Sequence, residues 1–162
     1  MEIVRAKGMN AVSVVCALMV DDRIWENLDC WLHDLKNLYS FLRDIEHGKQ
    51  RVYAFMLDTG EVTGCVIGEA VESGFYGHFL FRLMRCNNVS EICRPLLKFI
   101  VDDFKNDGIH ITEFHGLVPE WNKACARVCR RLGARENGRR GLFKCQNGET
   151  VECVDYMLEY KE

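Results

Sequence analysis

The sequence predicts an α+β protein whose central sheet is mixed, mostly antiparallel and flanked by helices. Three stretches predict it. Residues 50–84 divide into three strand-like runs joined by tight turns at Asp58-Thr59-Gly60-Glu61 and Glu72-Ser73-Gly74, an antiparallel meander. Residues 87–133 read as turn, helix, strand, short loop and second helix. A helix between two strands is a crossover, which favours parallel pairing. The chain then closes in two alternating runs around Asn147-Gly148, the strongest short hairpin signal a sequence can carry. The order is strand, helix, helix, meander, helix, strand, helix, hairpin. At 162 residues, with no repeat, low-complexity tract or linker, a single domain spanning residues 1–162 is expected.

Ile3-Val4-Arg5-Ala6 reads as the first strand. Met9–Val20 is apolar and too long for a usual strand, so it reads as a helix. Asp21 or Asp22 can cap a second helix. That helix is expected to run unbroken to Gly48, with Leu28, Leu32, Leu35, Tyr39, Leu42 and Ile45 at steps of three and four. Its stripe suits a core-facing helix; a lid over a cleft is the sharper alternative. The meander strands are Gln50–Leu57, Val62–Val71 and Phe75–Met84. Gly64 and Gly68 interrupt the second, as at a bulge or a close approach. Glu91–Asn106 carries Ile92, Leu96, Phe99, Ile100 and Phe104 at helical spacing and stops at Asp107-Gly108. Ile109–Phe114 alternates as a strand. Pro119 is expected to start the next helix, with Trp121, Ala124, Cys125, Val128 and Leu132 on one face and Gly133 as its cap. Glu136–Cys145 and Thr150–Tyr160 form the closing hairpin.

Composition narrows the function classes. The net charge of -3 argues against a general nucleic-acid binder, and no run of eighteen apolar residues indicates a membrane span. Nine cysteines, an odd number with several on apolar faces, read as buried free thiols in a reducing cytoplasm. Cys125 and Cys129 lie four apart on a helix without a second pair nearby, so no metal site is expected.

Asn122-Lys-Ala-Cys-Ala-Arg-Val-Cys-Arg-Arg-Leu-Gly133 resembles the fourth-helix pattern of the GNAT superfamily of acyl-CoA N-acyltransferases, an Asn followed eleven positions later by a capping Gly. Gly64-Cys-Val-Ile-Gly68 and the terminal hairpin resemble further family strands. The likeness covers residues 50–160 well and the first fifty by element order. It implies acetyl-CoA as donor and an amine, of a small molecule or a protein, as acceptor.

In the family the helix after the meander opens with a pyrophosphate loop, whose backbone N–H groups hold the phosphates. Aligned on Leu96-Leu97, the matching stretch is Asn88–Cys93. The resemblance therefore implies Asn88, Ser90, Ile92 and Cys93 at the phosphates, Met84 and Arg85 beside the donor, and Asn122 along the pantetheine. Both loop glycines are absent, and Glu91 stands in place of one. Asn88 and Glu91 have the spacing of a capping box, and a carboxylate there opposes phosphate.

Family members often use a tyrosine seven residues after the helix Asn to protonate the leaving thiolate; here that position is Cys129. A thiol can serve as an acid, and it can equally be a small buried hydrophobe. Glu113 and His115 alternate onto one face of their strand and are candidate bases for the amine, with His78 and Glu69 as further candidates. Arg127, Arg130, Arg131, Arg135, Arg139 and Arg140 form a local basic segment that could be a solvated face, an anion site or a nucleic-acid contact. Two functions follow: a divergent N-acetyltransferase of the cytoplasm, or a chain that kept the fold, lost the cofactor and binds a protein partner. Degenerate chains of the second kind occur among small phage proteins, some in virions.

Overall fold

The computed structural model describes residues 2–81 and 89–161. Seven strands lie in one sheet: β1 (Glu2–Ala6), β2 (Arg51–Met56), β3 (Val62–Val71), β4 (Gly74–Phe81), β5 (Glu113–Pro119), β6 (Arg135–Lys144) and β7 (Thr150–Glu159). Their order is β1-β2-β3-β4-β5-β7-β6. β1–β2, β2–β3 and β5–β7 pair antiparallel, while β4–β5 pair in parallel across the crossover helix. The mixed, mostly antiparallel sheet and its flanking helices are those expected. Among the described residues no helix is long and apolar enough to cross a membrane.

The chain divides into two compact units, one of Met1–Glu69, His78–Met84 and Phe143–Thr150, the other of Ala70–Gly77, Arg85–Leu142 and Val151–Glu162. The first packs α1 (Gly8–Met19), α2 (Asp22–Trp25) and α3 (Leu35–Glu46) over its strands. Ala11, Val15 and Leu18 of α1 meet Phe41 and Ile45 of α3 above Val52, Cys65 and Ile67. In the second unit Phe75 of β4 packs against Phe104 of α4 (Val89–Asn106) and Phe114 of β5, at ring separations of 5.8 and 5.7 Å. Val118, Val154 and Tyr156 bury Ala126 of α5 (Lys123–Leu132).

Three element boundaries differ from expectation, each for a local reason. The long second helix is broken into α2, a 3₁₀ turn (Cys30–His33) and α3. Asp29 accepts from the Trp31 N–H (2.9 Å), and Asp34 from Lys36 and Asn37 (2.9 and 3.2 Å). Each carboxylate thereby starts a new turn and stops the previous one. The stripe drawn across that break does not form: Leu35 is 81% and Tyr39 67% exposed. The strand expected at Ile109–Phe114 instead begins at Glu113 and runs through Pro119. Pro119 ends it rather than starting a helix. Asn122 is the true N-cap, its Oδ1 accepting from Cys125 N–H at 3.0 Å. Finally, α4 begins at Val89, so Pro95 sits beyond its first turn and removes an intrahelical donor there. Gly133 caps α5 at φ 93°, as its residue type requires.

Candidate active site

The second unit carries a polar cluster on one face of β4, β5 and β7. Alternation sends Phe114 and Val118 of β5 to the helix side and Glu113, His115 and Leu117 to the other. The parallel register Tyr76↔His115 and the antiparallel register Leu117↔Asp155 set the neighbours on that same face. His115 is 6% exposed and Asp155 3%. His115 Nδ1 lies 3.1 Å from Asp155 Oδ2, and Asn137 Nδ2 donates to the same oxygen at 2.6 Å. An ionised carboxylate only accepts, so the hydrogen belongs on Nδ1. His115 Nε2 then faces Glu113 Oε1 at 3.3 Å, close enough for charge to interact but without hydrogen-bond alignment. The Tyr76 ring lies flat on the imidazole, 4.4 Å away and 9° from parallel. Its hydroxyl accepts from Arg139 Nη1 at 3.4 Å. Gly74 leaves room for the stack, since a Cβ there would come within 3.1 Å of Tyr76 and 3.4 Å of His115.

The cluster can therefore hold and move a proton. Its innermost carboxylate orients the ring, the ring presents Nε2, and Glu113, whose side chain is 35% exposed, stands between Nε2 and solvent. Glu113 and His115 were both expected on this face, and the structure brings them together. Asp155, Asn137, Tyr76 and Arg139 were missed. The signal for Asp155 was legible: one carboxylate inside the otherwise apolar alternation Val151, Cys153, Met157.

In the first unit, His78 keeps solvent contact but is crowded by protein, which pushes its imidazole pKa down, against the upward pull of Asp29 and Glu69. His78 and Glu69, named separately as further base candidates, are thus within electrostatic reach of one another. At the tip of the closing hairpin, Gln146 Nε2 lies 3.2 Å from His33 Nε2.

The expected donor-binding residues fare unevenly. Met84, Arg85 and Asn88 lie outside the described residues, as do the Ser90 and Glu91 side chains. Ile92 and Cys93 are 7% and 2% exposed, so only their backbone could meet a ligand. Asn122 spends its carbonyl oxygen on the α5 cap. Cys129 is a poor acid: its interaction with Cys125, together with burial, pushes its pKa far up. The basic segment is dispersed. Arg130 donates to Tyr156 Oη (3.0 Å) and covers its ring, Arg135 pairs with Glu159, and Arg140 lies 3.7 Å from Glu120. Arg130, Arg140 and Lys123 share a cavity of about 260 Å³ with Glu120, Glu136 and Tyr156.

This architecture matches solved acetyltransferase structures over nearly the whole chain. Spermidine N-acetyltransferase from Vibrio cholerae, in complex with CoA and spermine, superimposes with a TM-score of 0.71 at 10% identity, covering 98% of this chain and 94% of that one. A probable acetyltransferase from Staphylococcus epidermidis gives 0.72 at 10% identity, covering 99% of each.

The chain has the GNAT fold.

No protein-family model and no curated protein matches the sequence. A dodecameric form of the Vibrio cholerae spermidine enzyme also matches, at a TM-score of 0.70 and 10% identity. Within the GNAT fold the Glu113–His115–Asp155 array belongs to β5 and β7, and α5 carries Cys129 behind its N-cap Asn122.

Proposed function

We propose that this GNAT-fold chain is an N-acetyltransferase that moves an acetyl group from acetyl-CoA to a cationic amine. The observation that carries the reading is the buried His115, held at Nδ1 by Asp155 and facing the partly exposed Glu113 at Nε2. An amine arrives protonated and cannot attack until it is deprotonated. Glu113 is the group that meets the ammonium and accepts its proton. His115 is the positioning residue behind it, and Asp155 and Asn137 fix its tautomer and angle. The freed amine attacks the thioester carbonyl. A thiolate with a pKa of about 8.5 leaves without needing an acid, so Cys129 is given no step. The acceptor chemistry fits a polyamine or similar cation, the class named for the Vibrio cholerae neighbours.

The test is acetyl transfer to spermidine and to simple diamines, followed as free CoA thiol. Glu113→Gln should lower kcat about a hundredfold with little change in the acetyl-CoA KM. His115→Gln should reduce kcat less and displace the pH profile. Equal activity of both variants and wild type would sink the assignment.

A second reading has its own observation. Trp31, Leu35 and Tyr39 of the first unit are 51%, 81% and 67% exposed, large apolar side chains of the kind a protein partner would cover. Calorimetry with acetyl-CoA separates the readings. Binding by wild type favours the enzyme; binding only after Glu91→Gly favours a chain whose donor site is occupied by its own carboxylate.

A further inference from the structure

His115 and Asp155 lie on the sheet face opposite α5, yet they are 6% and 3% exposed. Side chains from two other strands reach over them. Tyr76 of β4 lies flat on the imidazole, and Arg139 of β6 donates from Nη1 to Tyr76 Oη at 3.4 Å. In the sheet, β5 and β7 stand between β4 and β6. Neighbouring strands are about 4.8 Å apart, so this contact bridges about 14 Å of sheet. The two strands it crosses are the ones that carry His115 and Asp155.

The sequence builds each arm of the bridge locally. Gly74 leaves the space in which Tyr76 stacks on His115. On β6, Gly138 holds φ at 80°, and Asn137 Oδ1 accepts from Arg139 N–H at 2.9 Å. A left-handed glycine in a strand marks a bulge, which re-aims neighbouring side chains. Asn137 thereby serves twice, since its Nδ2 also donates to Asp155 Oδ2 at 2.6 Å.

We propose that Tyr76 and Arg139 are positioning residues for His115: joined across β5 and β7, they roof the imidazole and hold its Nε2 on Glu113. The proposal rests on the reading of Glu113 and His115 as the base that deprotonates the amine. An imidazole anchored at Nδ1 alone can still rock, because its ring torsion is broad. The flat stack removes that freedom, and Arg139 fixes the stack through the Tyr76 hydroxyl. The roof also shields Nε2, which is buried and has no hydrogen-bond partner among the described residues.

The test is carbethoxylation of the folded full-length chain with diethyl pyrocarbonate at pH 7, mapped by peptide mass spectrometry. The exposed His47 and His110 are internal references. Wild-type His115 should react at least about tenfold more slowly than either, since a buried ring is reached only through local opening. Tyr76→Phe keeps the stack and loses the bridge; Arg139→Ala loses the bridge from its other end. Each should speed the His115 reaction about fivefold, and the double variant no more than either alone, because both remove one contact. Tyr76→Leu, which removes the stack as well, should speed it further, with the reference rates unmoved. In acetyl transfer the same variants should lower kcat with little change in the acetyl-CoA KM. The proposal is overturned if wild-type His115 reacts as fast as the references, if Tyr76→Phe and Arg139→Ala leave its rate unchanged, or if their effects add. A failure of the reaction reading looks different: wild type then acetylates no amine, while the His115 rates keep their ranking and the roof stands.

Discussion

Removing Asp155 would strand two donors at once, the buried His115 Nδ1 and the partly buried Asn137 Nδ2. Each unsatisfied group costs roughly 1–3 kcal/mol. Asp155→Ala should therefore lose about 2–4 kcal/mol in urea unfolding, more than a truncation of similar size on the surface. A residue of the first unit governs a different quantity. Protein crowding depresses the His78 pKa in the folded state below the ordinary value of about 6.5. The unfolded chain then binds the proton more readily, so this contribution is complete above about pH 6.5 and is lost as pH falls through the folded pKa. His78→Gln should flatten the acid side of the stability profile, measured as the urea midpoint between pH 7.5 and 5.5. Cys65, fully buried, has its thiol pushed up to about 12. Its alkylation should track global unfolding and proceed no faster in native protein than unfolding allows.

At the scale of elements, carboxylate caps and turn residues decide more than apolar spacing does. Asp34→Ala removes two backbone acceptor contacts at the start of α3 and should cost about 1 kcal/mol. Glu72 holds φ at 56° in the turn between β3 and β4, a conformation that asparagine tolerates better. Glu72→Asn should stabilise the protein by about 0.5–1 kcal/mol in thermal unfolding. These residues also mark what could be read in advance. The meander, the crossover helix, the Gly133 cap and the closing hairpin were legible because each has its own local signal. The break between α2 and α3 was not, because Leu28 and Leu32 keep helical spacing across it while Asp29 and Asp34 act through side-chain oxygens that periodicity ignores. The β5 boundary slipped because Ile109 and Ile111 alternate like strand residues, yet Thr112 N–H is spent on Ser73 C=O outside the ladder. Within the candidate site, Glu113 and His115 could be read from one strand. Asp155 and Asn137 come from later strands, and only the register joins them to His115.

The whole molecule is interleaved. Each compact unit is assembled from three separated stretches of chain, and β3 and β4 pass from one unit into the other. Residues 1–69 make up most of the first unit but omit β4, the neighbour of β3 in the sheet. Expressed alone, that fragment should show no cooperative unfolding transition by circular dichroism, whereas the full chain should. Core truncations should report the same dependence: Leu18→Ala in the first unit and Leu96→Ala in the second, both at 0% exposure, should each cost about 2–5 kcal/mol.

The interleaving also sets an order of events during synthesis. The first unit needs Phe143–Thr150 to be complete, so a nascent chain that has already made α1, α2, α3 and the meander still lacks a piece that follows α5 in the chain. Its earliest helices must wait until residue 150 has been made. A ribosome stalled before residue 143 would leave the first unit without that segment, a substrate for holding chaperones rather than a finished half.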